Sequence, residues 1–326
     1  MMPIIRLDLE QLQQSGAIDA DLAAKLETLA LPSKSGTAWI SAILIFGALG
    51  VAAGVLALEP SATVGLILAL VALSIALFLK FFQKDESWHL LGSAFAVMGT
   101  IGLSAWVALE AGETAGLIWP PLVIFAIMTA GALTFRSSFL AAMAVLALGA
   151  VLGTGTFYWH ASYALIVREP TITILVFGLL TLALYALRPR LKEVFSSMAT
   201  VAARTSLFLV QFGFWVGSLW GDHIGEHWAA GEGWRARMDW RDQALEIPEA
   251  VFSIGWAAFL IALFVKAPRG SFLSVSAFVF FAIHLYTQFF EVFADRAEAL
   301  ILGGFLAIGV AIAAARIMKL GPQKSV

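Results

Sequence analysis

The sequence predicts an all-α, polytopic transmembrane helix bundle of about ten spans, and three observations carry that expectation. Of the 326 residues, 60% are hydrophobic and only 13% charged. A soluble domain carries about 45–50% apolar and about 25% charged residues, so lipid is the expected solvent for so much apolar surface. Ten apolar segments approach the roughly 20 residues that a helix needs to cross the hydrocarbon core. The basic residues of the connections also alternate, rich on one side and poor on the other, as the positive-inside rule requires.

The ten segments run Trp39–Leu58, Ala62–Phe82, Leu90–Leu109, Leu117–Phe135, Ser138–Tyr158, Thr171–Leu187, Ala199–Trp220, Ala250–Lys266, Phe272–Phe290 and Ala299–Arg316. Glu59-Pro60-Ser61 makes a short turn between the first two. Pro170, Pro189 and Pro268 fall at span ends, and Pro120 and Pro121 in a first helical turn, where a missing N–H costs little. The basic connections carry Arg6, Lys25, Lys34, Lys80, Lys84, Arg136, Arg188, Arg190, Lys192, Lys266, Arg269, Arg316, Lys319 and Lys324. The opposite connections carry Arg168, Arg296 and the arginines of one long acidic loop. Both termini are therefore expected in the cytoplasm of a bacterial inner membrane. Trp119, Trp159 and Trp220 at outer ends, with Trp39 and Trp88 at inner ends, suit headgroup belts.

The expected organisation is a cytoplasmic segment at 1–38, a transmembrane domain at 39–320 with an outer loop at 221–249, and a tail at 321–326. Met1 to Thr37 lacks the apolar core of a signal peptide. Leu9, Leu12, Leu22 and Leu26 recur at helical spacing, Gly16 can end one short helix, and Asp19 can cap the next. Two such helices cannot bury a core alone. Residues 8–30 are expected to pack on a cytoplasmic partner, on a second copy or on the membrane surface. A solvated lead-in is the plainer alternative.

An internal repeat relates the first two hairpins. Ser41/Ser93, Gly47/Gly99, Gly50/Gly102 and Ala53/Ala105 coincide, and after a one-residue slip so do Glu59/Glu110, Thr63/Thr114 and Gly65/Gly116. Gly50 and Gly54, Gly149 and Gly153, and Gly213 and Gly217 lie at close helical spacing, which serves internal helix packing or dimerisation.

Polar residues inside spans are the site candidates, because lipid penalises them. His284, Gln288 and Glu291 form one stripe, with the repeat-related Glu59 and Glu110 at the same outer level. Such a set could bind a cation or relay protons, or be a packed imidazole with solvated carboxylates. Arg204 and Gln211 share a helical face; snorkelling explains Arg204 cheaply, and Gln211 needs a partner. In the outer loop, His223 and His227 have the i, i+4 spacing of zinc ligands, but Ile224 stands where a metalloprotease motif requires glutamate. An interfacial loop anchored by Trp228, Trp234 and Trp240 is the stronger expectation. No cofactor other than that weak zinc site is expected.

The pattern LEQLQQSGAIDADLAAKL followed by ILIFGALGVAAGVLAL, together with HLYTQFFEVFADRAEALILGGFLAIGVAIAAAR near the end, resembles the uncharacterised bacterial membrane proteins grouped as domain of unknown function 2157. Leu58-Glu59 stands where members of that family often carry a tryptophan. The resemblance implies a polytopic inner-membrane protein and transfers no catalytic residue. The net charge of -2 argues against nucleic acid, and the absence of cysteine excludes disulfides, thiolate nucleophiles and Cys-type zinc sites. Transport of a small solute or ion is the leading expectation. The alternative is a non-catalytic scaffold or sensor, and an enzyme is least supported.

Overall fold

The computed structural model describes residues 12–13, 18–19, 21–22, 25–26, 35–59, 61–82, 88–111, 118–159, 162–231, 233–268, 271–293 and 297–319. Most of the amphipathic segment at 8–30, the tail at 321–326, His160 and the side chains of Trp39, Trp159 and Glu291 lie outside the described residues. Within that segment one expected cap is present: the Leu22 N–H donates to Asp19 Oδ1 at 2.6 Å.

Each of the ten apolar segments holds a helix. In chain order these are α1 (Ser35–Leu58), α2 (Ala62–Phe82), α3 (His89–Glu110), α4 (Trp119–Phe135), α5 (Ser138–Val151), α6 (Pro170–Leu187) and α7 (Glu193–Trp220). The short α8 (Glu226–Ala229) and α9 (Trp234–Arg241) follow, then α10 (Glu249–Lys266), α11 (Phe272–Phe293) and α12 (Ala297–Lys319). Among the described residues five of them, α2, α3, α6, α7 and α10, are long and apolar enough to cross a membrane. Large apolar side chains such as Phe46, Leu179, Leu182, Ile254 and Phe305 are exposed on the bundle, as a lipid-facing surface allows.

The helices pack as successive antiparallel neighbours. α2 lies on α3, α3 on α4, α4 on α5, α6 on α7, α10 on α11 and α11 on α12. The central α7 touches α5, α6 and α10. One core joins Met128 and Ala132 of α4, Leu140 and Val145 of α5, Phe177 of α6, and Ala202 and Leu209 of α7. A second joins Trp256 and Leu260 of α10 to Ala277 and Phe280 of α11.

The paired glycines behave differently from one another. A Cβ on Gly213 would lie 2.9 Å from Ile174, and one on Gly217 2.5 Å from the Phe252 ring, so both set close helix contacts within the chain. Gly50 and Gly54 face open space. Gly47 is equally open, but its repeat relative Gly99 is clamped, since a Cβ there would lie 2.8 Å from the Leu73 backbone nitrogen.

The fifth segment corrects the sequence reading. Its helix ends at Val151, not Tyr158, and the chain continues as an antiparallel hairpin, β1 (Thr154–Trp159) with β2 (Ser162–Val167). Apolar content kept the segment within the span criterion, but Thr-Gly-Thr-Phe-Tyr-Trp is β-forming, and Gly153 adopts φ +74°. Gly153 is therefore a turn residue, not a helix-packing one. At 14 residues α5 is about 21 Å long, short of the roughly 30 Å core. The base of the hairpin is buried in the protein: Thr154 is buried, with its hydroxyl 3.4 Å from that of Thr173. The backbone polar groups of the two strands are paired across the hairpin.

The long loop is also folded. Asp222–His223 (β3) pairs with Glu246–Ile247 (β4) and closes its base, while α8 and α9 fill the excursion. Gly221, at φ +66°, makes the turn out of α7, and a Cβ there would lie 2.8 Å from the Ile247 carbonyl oxygen. The hairpin and this excursion form a cap at one end of the bundle. At the other end, the Lys80 ammonium donates to the Thr134 carbonyl and lies over the Phe81 and Phe135 rings.

Candidate functional site

Two regions concentrate buried polar atoms: a seam between α7, α10 and α11, and the junction of the cap with α6. The seam contains three of the sequence candidates. Gln211 is fully buried and accepts the Trp256 indole N–H on Oε1 at 2.6 Å. His284 is buried, with Nε2 3.4 Å from the Ser253 hydroxyl and its ring 4.7 Å from that of Trp256. Gln288 Nε2 reaches the Ser218 carbonyl at 3.5 Å. Gln211 Nε2, His284 Nδ1 and Trp215 Nε1 are buried with no partner in the structure.

The remaining intramembrane candidates do not join this seam. Glu59 and Glu110 are exposed at the ends of α1 and α3, which pack on each other, whereas α11 packs on α10 and α12. Arg204 and Gln211 do not share an environment: Arg204 is exposed, with its guanidinium 4.7 Å from the Phe272 ring centroid. A helix of 28 residues is about 42 Å long, so α7 outreaches the hydrocarbon and Arg204 can snorkel towards the headgroups.

The cap junction carries the stronger charges. Glu169, directly before α6, is fully buried. Its two oxygens accept the backbone N–H groups of Gly225 at 2.8 Å and His227 at 2.7 Å. Asp222 of β3 is buried as well and accepts the Thr171 N–H at 2.8 Å. That bond caps α6 from a distant part of the chain, at the helix end that favours an anion. Burial raises the Glu169 carboxyl above its usual range, against the two N–H donors, while Asp222 and Glu226 push it the same way as burial. Burial also raises Asp222, against its bonds to Thr171.

His227 sits on α8 with its ring against Gly153, where a Cβ would lie 3.0 Å from Nδ1. Burial holds it below the ordinary 6.5, and the Arg168 charge adds to that, so the imidazole is neutral at pH 7. The i, i+4 zinc reading does not survive in its helical form. His223 lies on β3 and His227 on α8, so the pair shares no helical face. Among the described residues no cluster of three metal-ligating side chains occurs.

Beside this junction opens a cleft of roughly 540 Å³. Arg168, Arg237 and Arg241 contribute its positive charge, and Ile166, Val216 and Trp220 an apolar wall. Arg241 is neutralised by a bidentate pair with Glu226, with Nε and Nη2 each 2.9 Å from an oxygen. Sequence reasoning missed Glu169, Asp222 and the arginine cluster. The available signal was a Glu-Pro helix start, with arginines four apart at 237 and 241. No family model matches the chain, no curated protein resembles it, and no solved structure matches its fold.

Proposed function

We propose that the chain is a ten-span protein of a bacterial inner membrane, with both termini cytoplasmic, that works as a membrane-embedded recognition or sensor protein through an outward-facing cap. The observation that carries this reading is the locked cap junction. Glu169 and Asp222 tie two separate backbone segments of the cap to the start of α6, so the cap is held rigidly above the bundle. Such support from buried polar bonds is what a preformed binding surface needs. All ten apolar helices, including the shorter α4 and α5, count as spans here, and the charge alternation orients them.

Transport of a small solute or ion is the second reading, and the seam of Gln211, His284 and Gln288 favours it. Its unpartnered buried donors and acceptors are the kind of groups that line an ion or proton path. A recognition role accommodates the same seam as packing glue between helices.

The natural chain has no cysteine, so single-cysteine labelling has a clean background. With a membrane-impermeant maleimide on intact cells, Asp239→Cys on the cap should label readily. Lys192→Cys at the opposite end should label only after permeabilisation. The reverse pattern would invert the topology and overturn the outward cap. Counterflow by reconstituted protein that is lost in His284→Leu would promote transport over recognition.

A further inference from the structure

The cleft beside the cap contains two guanidinium groups with no counter-charge of their own. Arg168 comes from the β2–α6 junction and Arg237 from α9, so separate elements bring them to one cleft. Of the other charged groups there, Glu226 is paired with Arg241, and Asp222 accepts the Thr171 N–H on Oδ2 while its Oδ1 is buried with no partner. Among the described residues no carboxylate lies within ion-pair distance of Arg168 or Arg237. The two charges repel each other, and Glu226 attracts Arg168 only from beyond ion-pair reach.

Arg168 is half-buried, so it has less freedom to swing away than an exposed arginine. Its Cβ packs over Gly153, where an added Cβ would lie 3.0 Å from it. Its backbone N–H donates to the Gly153 carbonyl at 3.4 Å. The neighbouring His227 imidazole is neutral and adds no charge. Two mutually repelling guanidinium groups lining one cleft are a standing cost that a bound anion would offset.

From this arrangement we infer that the cleft binds a phosphate group, gripped between Arg168 and Arg237. A carboxylate has two oxygens and fills one fork, whereas a phosphate has enough oxygens to engage both. Ile166, Val216 and Trp220 line the same cleft, and Trp220 is 68% exposed at the end of α7, where the bundle surface meets the cap. Apolar side chains beside two cations suit a phosphate carried on an apolar or glycerol-like body. A phospholipid headgroup and a free phosphate compound share that chemistry.

This inference deepens the recognition reading and rests on it for biological meaning, but the test does not. The full chain, purified in an uncharged detergent, would be titrated with phosphatidylglycerol in mixed micelles or with inorganic phosphate at constant ionic strength. Thermal unfolding and tryptophan fluorescence would be followed. We expect saturable stabilisation by one of the two probes. Response to phosphatidylglycerol alone identifies a headgroup site, and response to phosphate identifies a soluble ligand. Arg237→Gln should weaken the response by about tenfold or more, and Arg168→Gln similarly, while Arg235→Gln, exposed on the same helix and outside the cleft, should match the natural chain. If Arg168→Gln unfolds the cap, Arg237→Gln alone decides, because Arg237 makes no bond that the fold uses. Saturation by neither probe, or equal affinity in Arg237→Gln, overturns the inference and leaves the labelling result untouched. Reversed labelling with intact phosphate binding would sink the outward cap and keep the site.

Discussion

The seam and the cap junction both bury polar groups, and they differ in the partners those groups find. In the seam, neutral side chains on neighbouring helices bond to one another or to a carbonyl. At the junction, carboxylates accept backbone N–H groups across the boundary between cap and bundle, Glu169 from Gly225 and His227 and Asp222 from Thr171. Both regions also leave buried atoms without a partner: Gln211 Nε2, Trp215 Nε1 and His284 Nδ1 in the seam, and Thr171 Oγ1, Asp222 Oδ1 and His227 Nδ1 at the junction. Helices satisfy their own backbones, so a helix–helix contact can tolerate an imperfect side-chain match. A folded loop has no such reserve, and its order depends on acceptors supplied from elsewhere. The cap should therefore be brittle to single substitutions where the seam is forgiving.

Glu169→Ala is the largest test of that contrast. It would leave the Gly225 and His227 N–H groups buried without an acceptor, at about 1–3 kcal/mol for each. We expect amide exchange across 221–247 to accelerate by orders of magnitude while α6 and α7 stay protected. Glu169→Gln keeps one acceptor oxygen and should fall between. Unchanged exchange in Glu169→Ala would mean that the cap holds itself.

The seam should lose less. Trp256→Phe leaves Gln211 unpaired and Gln211→Leu leaves the indole unpaired, each costing about 1–3 kcal/mol. The double substitution removes both partners and should recover part of that, with a coupling energy of about 1–2 kcal/mol. Thermal unfolding of the four proteins in detergent closes the cycle. Strict additivity would show that the 2.6 Å contact contributes nothing of its own.

A pH profile separates the groups inside the junction. His227 is held below 6.5 in the folded cap. Its contribution is therefore complete above pH 6.5 and is lost as pH falls towards the folded value, because the unfolded segment takes up the proton first. Glu169 and Asp222 are raised, so they act in the other sense: their contribution is complete below their ordinary values of 4.5 and 3.8 and is lost as pH rises through the folded ones. The difference in cap stability between the natural chain and His227→Gln, followed by amide exchange, should shrink as pH drops below 6.5. A difference that stays constant with pH would show that the imidazole is not neutral because of its surroundings.

The contrast also explains what could be read from the sequence. All ten apolar segments hold helices, because a long apolar run has few alternatives. Gln211, His284 and Gln288 stood out as polar residues against an apolar background, and the structure brings Gln211 and His284 together on Trp256. Trp256 itself had no contrast, since it reads as one more apolar residue. Glu169 had none either: a carboxylate before a proline at a span end looks like any solvated flank. Its burial follows from a loop more than fifty residues later in the chain folding back on it. The α5 boundary was missed because β-forming aromatics count as apolar as readily as leucine does. Glu59 and Glu110 were grouped with His284 by depth alone, and depth carries no information about which helices are neighbours.

The smallest effect belongs to the most conspicuous ion pair. Arg241 is 42% exposed, and an exposed pair contributes about 0.2–1 kcal/mol, less at high salt. Arg241→Gln should therefore shift cap exchange only slightly, well below the effect of Glu169→Ala. Its larger consequence is electrostatic. Freed from Arg241, Glu226 can turn its charge towards Arg168, which it already attracts from a distance. Phosphate binding in the cleft should then weaken even though neither gripping arginine has changed. Binding that stays at the natural level in Arg241→Gln, with stability also unchanged, would mean that the bidentate pair is only a surface contact and that Glu226 does not govern the charge of the cleft.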